Sequence, residues 1–132
     1  MMKKIVIIVL FASSYLWGST QNNSPEFNKV MDAFAQNFQK FAHVYTHGSK
    51  EEQKQIYKLA AKALESCVNL YTHVKTHPDE KRFVPLEHRK ALENTLHQLP
   101  QPTKKQFDAV QCLRWYIDQT ALFDRIQINR LA

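Results

Sequence analysis

Glycine is almost missing from this chain: of 132 residues only Gly18 and Gly48 lack a side chain. Sheet proteins of this size spend glycines on hairpin turns and bulges, and no segment here alternates apolar and polar residues long enough to make a strand. What remains is helix, broken at prolines and at capping residues. An all-α, four-helix, single-domain fold is therefore the expectation, and the punctuation sets its elements.

Ser24 followed by Pro25 opens the first helix, which carries Phe27, Val30, Met31, Phe34, Phe38, Phe41 and Tyr45 at three- and four-residue spacing. It closes at His47 and Gly48, with the glycine expected in the left-handed conformation. Ser49 and Glu52 form a capping box for a second helix, so the two run antiparallel through a tight turn. That helix buries Ile56, Leu59, Ala60, Ala63, Leu64, Cys67, Leu70, Tyr71 and Val74 and stops at Pro78. Residues 78–84 read as a charged connector. Pro85 opens a shorter third helix with Leu86, Leu92, Leu96 and Leu99, ended by Pro100 and Pro102. A second capping box, Thr103 with Gln106, starts a fourth helix over 103–129, apolar around much of its circumference.

The first 19 residues read as targeting sequence. Lys3 and Lys4 precede an apolar run from Ile5 to Ala12, and Ser13 to Ser19 turn small and polar, the order of a cleavable secretory signal. The run falls short of the roughly 20 apolar residues that span a bilayer, so no stable membrane anchor is expected. The domain is then 20–132, in the periplasm or secreted. Loss of the two lysines leaves 16 basic against 12 acidic side chains, and Lys50, Lys54, Lys58 and Lys62 interleave with Glu51 and Glu52. Such a face is solvated, not a nucleic-acid patch.

Chemistry is sparse. His43 with His47, and His73 with His77, have the i, i+4 spacing that can hold zinc or copper. Their helix ends lie about 40 Å apart at 1.5 Å per residue, so the pairs cannot converge, and no stoichiometric metal is expected. Met31 lies in line with three phenylalanines and reads as core; the last helix has no histidine, and C-x-x-C-H is missing, so no haem or other cofactor is expected. Neither G-x-S-x-G nor H-E-x-x-H occurs, and Glu87 beside His88 reads as an exposed first-turn pair. No enzymatic activity is expected.

Two cysteines, Cys67 and Cys112, leave one intramolecular pairing. Export to an oxidising compartment and an apolar face around each sulfur predict a disulfide tying the second helix to the fourth.

The run Gln106-Phe107-Asp108-Ala109-Val110-Gln111-Cys112-Leu113-Arg114-Trp115-Tyr116 resembles the last helix of small periplasmic immunity proteins that neutralise amidase effectors of type VI secretion. The shared pattern is Phe-Asp, three residues, Cys-Leu, two residues, Tyr. Leu64-Glu65-Ser66-Cys67-Val68 is similar to the segment around that family's earlier cysteine. The resemblance implies a helical bundle that binds a cell-wall hydrolase and occludes its active site, with Cys67 and Cys112 as structural residues. A chaperone or carrier for envelope components is the other binding role compatible with these features. A small metal-handling protein or hydrolase is the reading from another class.

Overall fold

The structure is a computed structural model that describes residues 23–103, 105 and 107–126. The expected signal segment, 1–19, and residues 127–129 of the expected last helix lie outside the described residues. Six helices make up the described chain, with no strand among them: α1 Pro25–His47, α2 Lys50–Gln53, α3 Ile56–Thr76, α4 Leu86–His97, α5 Ala109–Thr120 and α6 Leu122–Arg125. None is long and apolar enough to cross a membrane.

α1 begins as its residues dictate. The Ser24 hydroxyl accepts from the Phe27 amide at 3.0 Å, and Pro25 fills the first helical position, where its missing N–H is no loss. Phe27, Met31, Phe34, Phe38 and Phe41 form one fully covered stripe. Gly48 ends the helix in extended, not left-handed, backbone (φ −70°, ψ 150°). Its glycine serves close approach instead: a Cβ there would lie 2.5 Å from the Val44 carbonyl oxygen, which the Gly48 amide already bonds at 2.8 Å.

The expected second helix is divided. Ser49 and Glu52 form the capping box in both directions, at 3.2 and 3.0 Å, but they cap only the single turn α2. Gln53 donates its side-chain amide to the Val44 and Tyr45 carbonyls, pinning that turn to the end of α1. The chain bends at Lys54 and Gln55 before α3 lies back along α1. Ala60 and Ala63 are fully covered where α3 meets α1, small residues that let the phenylalanine stripe come close, followed by Cys67, Leu70 and Val74.

The last helix also departs from expectation at both ends. Its N-cap is Asp108, whose carboxylate accepts from the Gln111 amide at 3.1 Å, and not Thr103; the Thr103 amide instead donates to the Gln111 side chain at 2.8 Å. Its end comes at Ala121, which adopts left-handed backbone (φ 51°, ψ 43°). That reversal turns Leu122 and Phe123 inward, and the Phe123 ring meets Phe34 and Phe38 at 6.3 and 6.5 Å. An L-residue in this region costs about 1–2 kcal/mol, which glycine avoids at the expense of a freer unfolded chain. Ala121→Gly should therefore raise stability by about 0.5–1 kcal/mol, whereas Ala121→Val, branched at Cβ, should lower it. Urea unfolding of the two variants checks both signs.

The expected disulfide is not formed: Cys67 and Cys112 are both free thiols, and no cysteine pair lies at disulfide distance. The reason lies in how α5 turns its faces. Its covered stripe is Val110, Leu113, Arg114 and Ile117, which leaves Cys112 half-buried at the edge, while Cys67 sits inside the α3 stripe. The α3–α5 seam is closed instead by Tyr71 and Tyr116, edge to face at 6.0 Å. Burial pushes the Cys67 thiol well above its ordinary range, so it is an inert apolar filler.

Candidate functional site

Polar side chains converge at the end of the molecule where α1 begins, α3 stops and the connector 78–84 crosses. Ser24 works twice there: its oxygen caps α1 and its hydroxyl donates to Glu80 at 2.8 Å. Glu80 also accepts from His73 Nε2 at 3.0 and 3.2 Å and from Arg82 at 3.3 Å. Burial alone would push the Glu80 carboxyl up, but the bonds from Ser24, His73 and Arg82 together hold it below its ordinary value.

Arg82 is the least expected member. Its side chain is 1 % exposed, although it lies in what reads from sequence as a charged connector. The guanidinium donates to the His77 carbonyl at 3.0 Å and the Arg125 carbonyl at 3.4 Å, so one cation closes the C-terminal ends of α3 and α6. The neighbouring Phe83 backbone is clamped by Asn23, which accepts from its amide at 2.7 Å and donates to its carbonyl at 2.9 Å. The connector is thus a structural strap.

His73 and His77 stack with ring centroids 4.3 Å apart. The i, i+4 spacing of the two histidines is joined by a third donor from α1: Glu26, His73 and His77 have ligand atoms all within 4.8 Å of one another. His43 and His47 stack at 5.7 Å and belong to no such group among the described residues. The sequence marks Glu26 only as an acidic residue in the first turn of α1, and its partnership depends on the crossing of α1 and α3.

Two other features carry apolar or polar surface. Phe107 and Trp115 pack edge to face at 6.0 Å while remaining 53 % and 42 % exposed, an aromatic pair that joins the residue before the Asp108 N-cap to the middle of α5. Between α4 and the α5–α6 joint lies a cleft of about 240 Å³, lined in part by Arg89, Glu93, His97, Asp118 and Asp124. Its charges are engaged with each other: Arg89 bonds Glu93 at 3.1 Å and pairs with Asp124.

Two half-buried titratable groups outside these sites have opposite consequences. Burial pushes the Asp32 carboxyl on α1 up from 3.8 to about 6, and pushes His88 on α4 down from 6.5 to about 4. The folded chain keeps the Asp32 proton to higher pH than the unfolded chain does, so this contribution is lost as pH rises through about 6. The folded chain refuses the His88 proton that the unfolded chain takes, so that contribution is lost as pH falls from 6.5 toward 4. The two slopes oppose one another in the native chain. Asp32→Asn should leave stability rising between pH 4.5 and 6.5, and His88→Gln should leave it falling, each by about 1 kcal/mol once solvent screening of partly exposed groups is allowed for. Urea unfolding at three pH values separates the two.

No family model, no curated protein and no solved structure matches this chain.

Proposed function

We propose that this chain is an exported helical binding protein, and in its sharpest form an immunity protein that occludes the active site of a cell-wall-degrading effector in the periplasm. The observation that carries this reading is the exposed Phe107–Trp115 pair. Large aromatic side chains ordered against each other, yet left open to solvent, supply much contact area at little cost in conformational entropy, and interfaces are enriched in them. Both residues lie within the segment, 106–116, that resembles the last helix of the immunity family. Cys112 of that segment and Cys67 of α3 are free thiols and not a cross-link.

Affinity capture from the native envelope tests the proposal. Recovery of one hydrolase, retained by the wild-type chain and lost with Phe107→Ala and Trp115→Ala at an unchanged melting temperature, supports immunity. Recovery of a broad set of envelope proteins supports the chaperone or carrier role instead. No specific protein partner would sink the binding reading. The metal-handling alternative has one observation of its own, the Glu26, His73 and His77 group.

A further inference from the structure

We propose that Glu26, His73 and His77 form a three-ligand site for a first-row divalent cation of the zinc and copper type. The donor set is two imidazole nitrogens and one carboxylate oxygen, the composition that suits these ions and leaves a fourth position for water or another ligand. Bonds of about 2.1 Å at tetrahedral angles put donors about 3.4 Å apart. The three donors here already lie within 4.8 Å of one another. Glu26 is exposed and can swing the remaining ångström, while the His73 side chain, 9 % exposed, is held and the His77 ring is stacked on it.

A second, independent observation is the way the imidazoles are held from behind. A carbonyl oxygen only accepts, so the contact of His77 Nδ1 with the His73 carbonyl at 2.9 Å places the hydrogen on Nδ1. The lone pair of the neutral His77 ring is then on Nε2, at the tip of an exposed side chain. The Glu80 carboxylate accepts from His73 Nε2 at 3.0 Å, which leaves Nδ1 as the lone-pair nitrogen of that ring in its neutral form. A carboxylate behind one histidine and a backbone carbonyl behind the other are the outer supports that fix tautomer and raise ligand basicity at metal centres. The same supports let the site exist before the ion arrives, because Glu80 and Arg82 also hold the connector against α3.

Spacing alone does not distinguish this pair from His43 and His47, which share the i, i+4 interval and stack at 5.7 Å. What separates them is the third donor supplied by α1 and the carboxylate hydrogen-bonded behind one ring. The second histidine pair therefore serves as an internal control for the first.

The site goes beyond the binding role proposed above and is read on the isolated chain, so the two proposals fail separately. The protein is stripped with a chelator and titrated with Zn²⁺ alone, following heat of binding and melting temperature. The expected result is one saturable equivalent with a dissociation constant in the micromolar range, about −8 kcal/mol by the standard conversion, and a melting temperature that rises with added zinc. Cu²⁺ should bind more tightly than Zn²⁺. Glu26→Gln and His77→Gln, both at exposed positions, should each weaken binding about 10-fold or more without lowering the melting temperature of the zinc-free chain, and Glu80→Gln about 10-fold through loss of the support behind His73. His47→Gln should leave affinity unchanged. Absence of saturable binding overturns the proposal, as does a His77→Gln variant that binds like wild type, or an equal loss with His47→Gln.

Discussion

Phe34→Ala should cost about 3–5 kcal/mol of folding stability, a large part of the roughly 5–15 kcal/mol that holds a small domain together. The ring is fully covered, stacked on Phe38 at 5.2 Å and tilted against Phe123 at 6.3 Å. Truncation removes its transfer free energy and also the surface against which two other rings rest. Those neighbours come from different elements, α1 and α6, so neither can collapse into the gap without dragging a helix. The loss should show in urea unfolding as a lower midpoint at unchanged slope. Trp115→Ala, at a ring 42 % exposed, serves as the contrast and should change stability far less. A Phe34→Ala chain that melted like wild type while losing its partner would show that the phenylalanine stripe faces outward in solution.

That stripe was the most legible part of the fold. Ser24, Pro25 and five apolar residues at helical spacing act within one helix, so local chemistry and global packing agree on α1 from its N-cap to His47. Agreement weakens wherever a distant partner decides. Thr103 and Gln106 have the composition of a capping box, but the Gln111 side chain takes the Thr103 amide and Asp108 starts α5 instead. Nothing local marks Ala121 as a left-handed residue; the reversal exists because Leu122 and Phe123 have a pocket to enter beside Phe34 and Phe38.

The cysteines show the same limit from the other side. Cys67 lies on the covered face that periodicity indicated and Cys112 does not, and a bond between sulfurs depends on the rotation of α5 about its own axis. That rotation is set by Leu113, Arg114 and Ile117 against the core, with the Arg114 guanidinium bonded to the Leu99 carbonyl. Cys112 is consequently turned to the edge. The histidine end was half legible: the i, i+4 interval of His73 and His77 is written in the sequence, while Glu26 and Glu80 reach them only through the antiparallel crossing of α1 and α3 and the return of the connector.

The connector supplies the second large effect, because Arg82 is legible in the sequence only as one charge of that connector. Arg82→Met should cost about 3–5 kcal/mol even though methionine fills much of the same volume. The guanidinium side chain is 1 % exposed and divides its donors among the His77 carbonyl, the Arg125 carbonyl and the Glu80 carboxylate. Removing it leaves acceptors on three segments without their cation, and the cost of an unmet buried polar group exceeds the net gain of the bond it once made. Arg82→Lys should fall between the two, since a single ammonium reaches one or two of these acceptors and lacks the planar fork that spans all three. Glu80→Gln alone should cost less than Arg82→Met, and the double variant less than the sum, because the second change removes a charge that the first left uncompensated. A coupling of about 0.5–3 kcal/mol in that double-mutant cycle is the expected result. Strict additivity, or an Arg82→Met chain that unfolds at the wild-type midpoint, would mean that the strap is not held by its arginine.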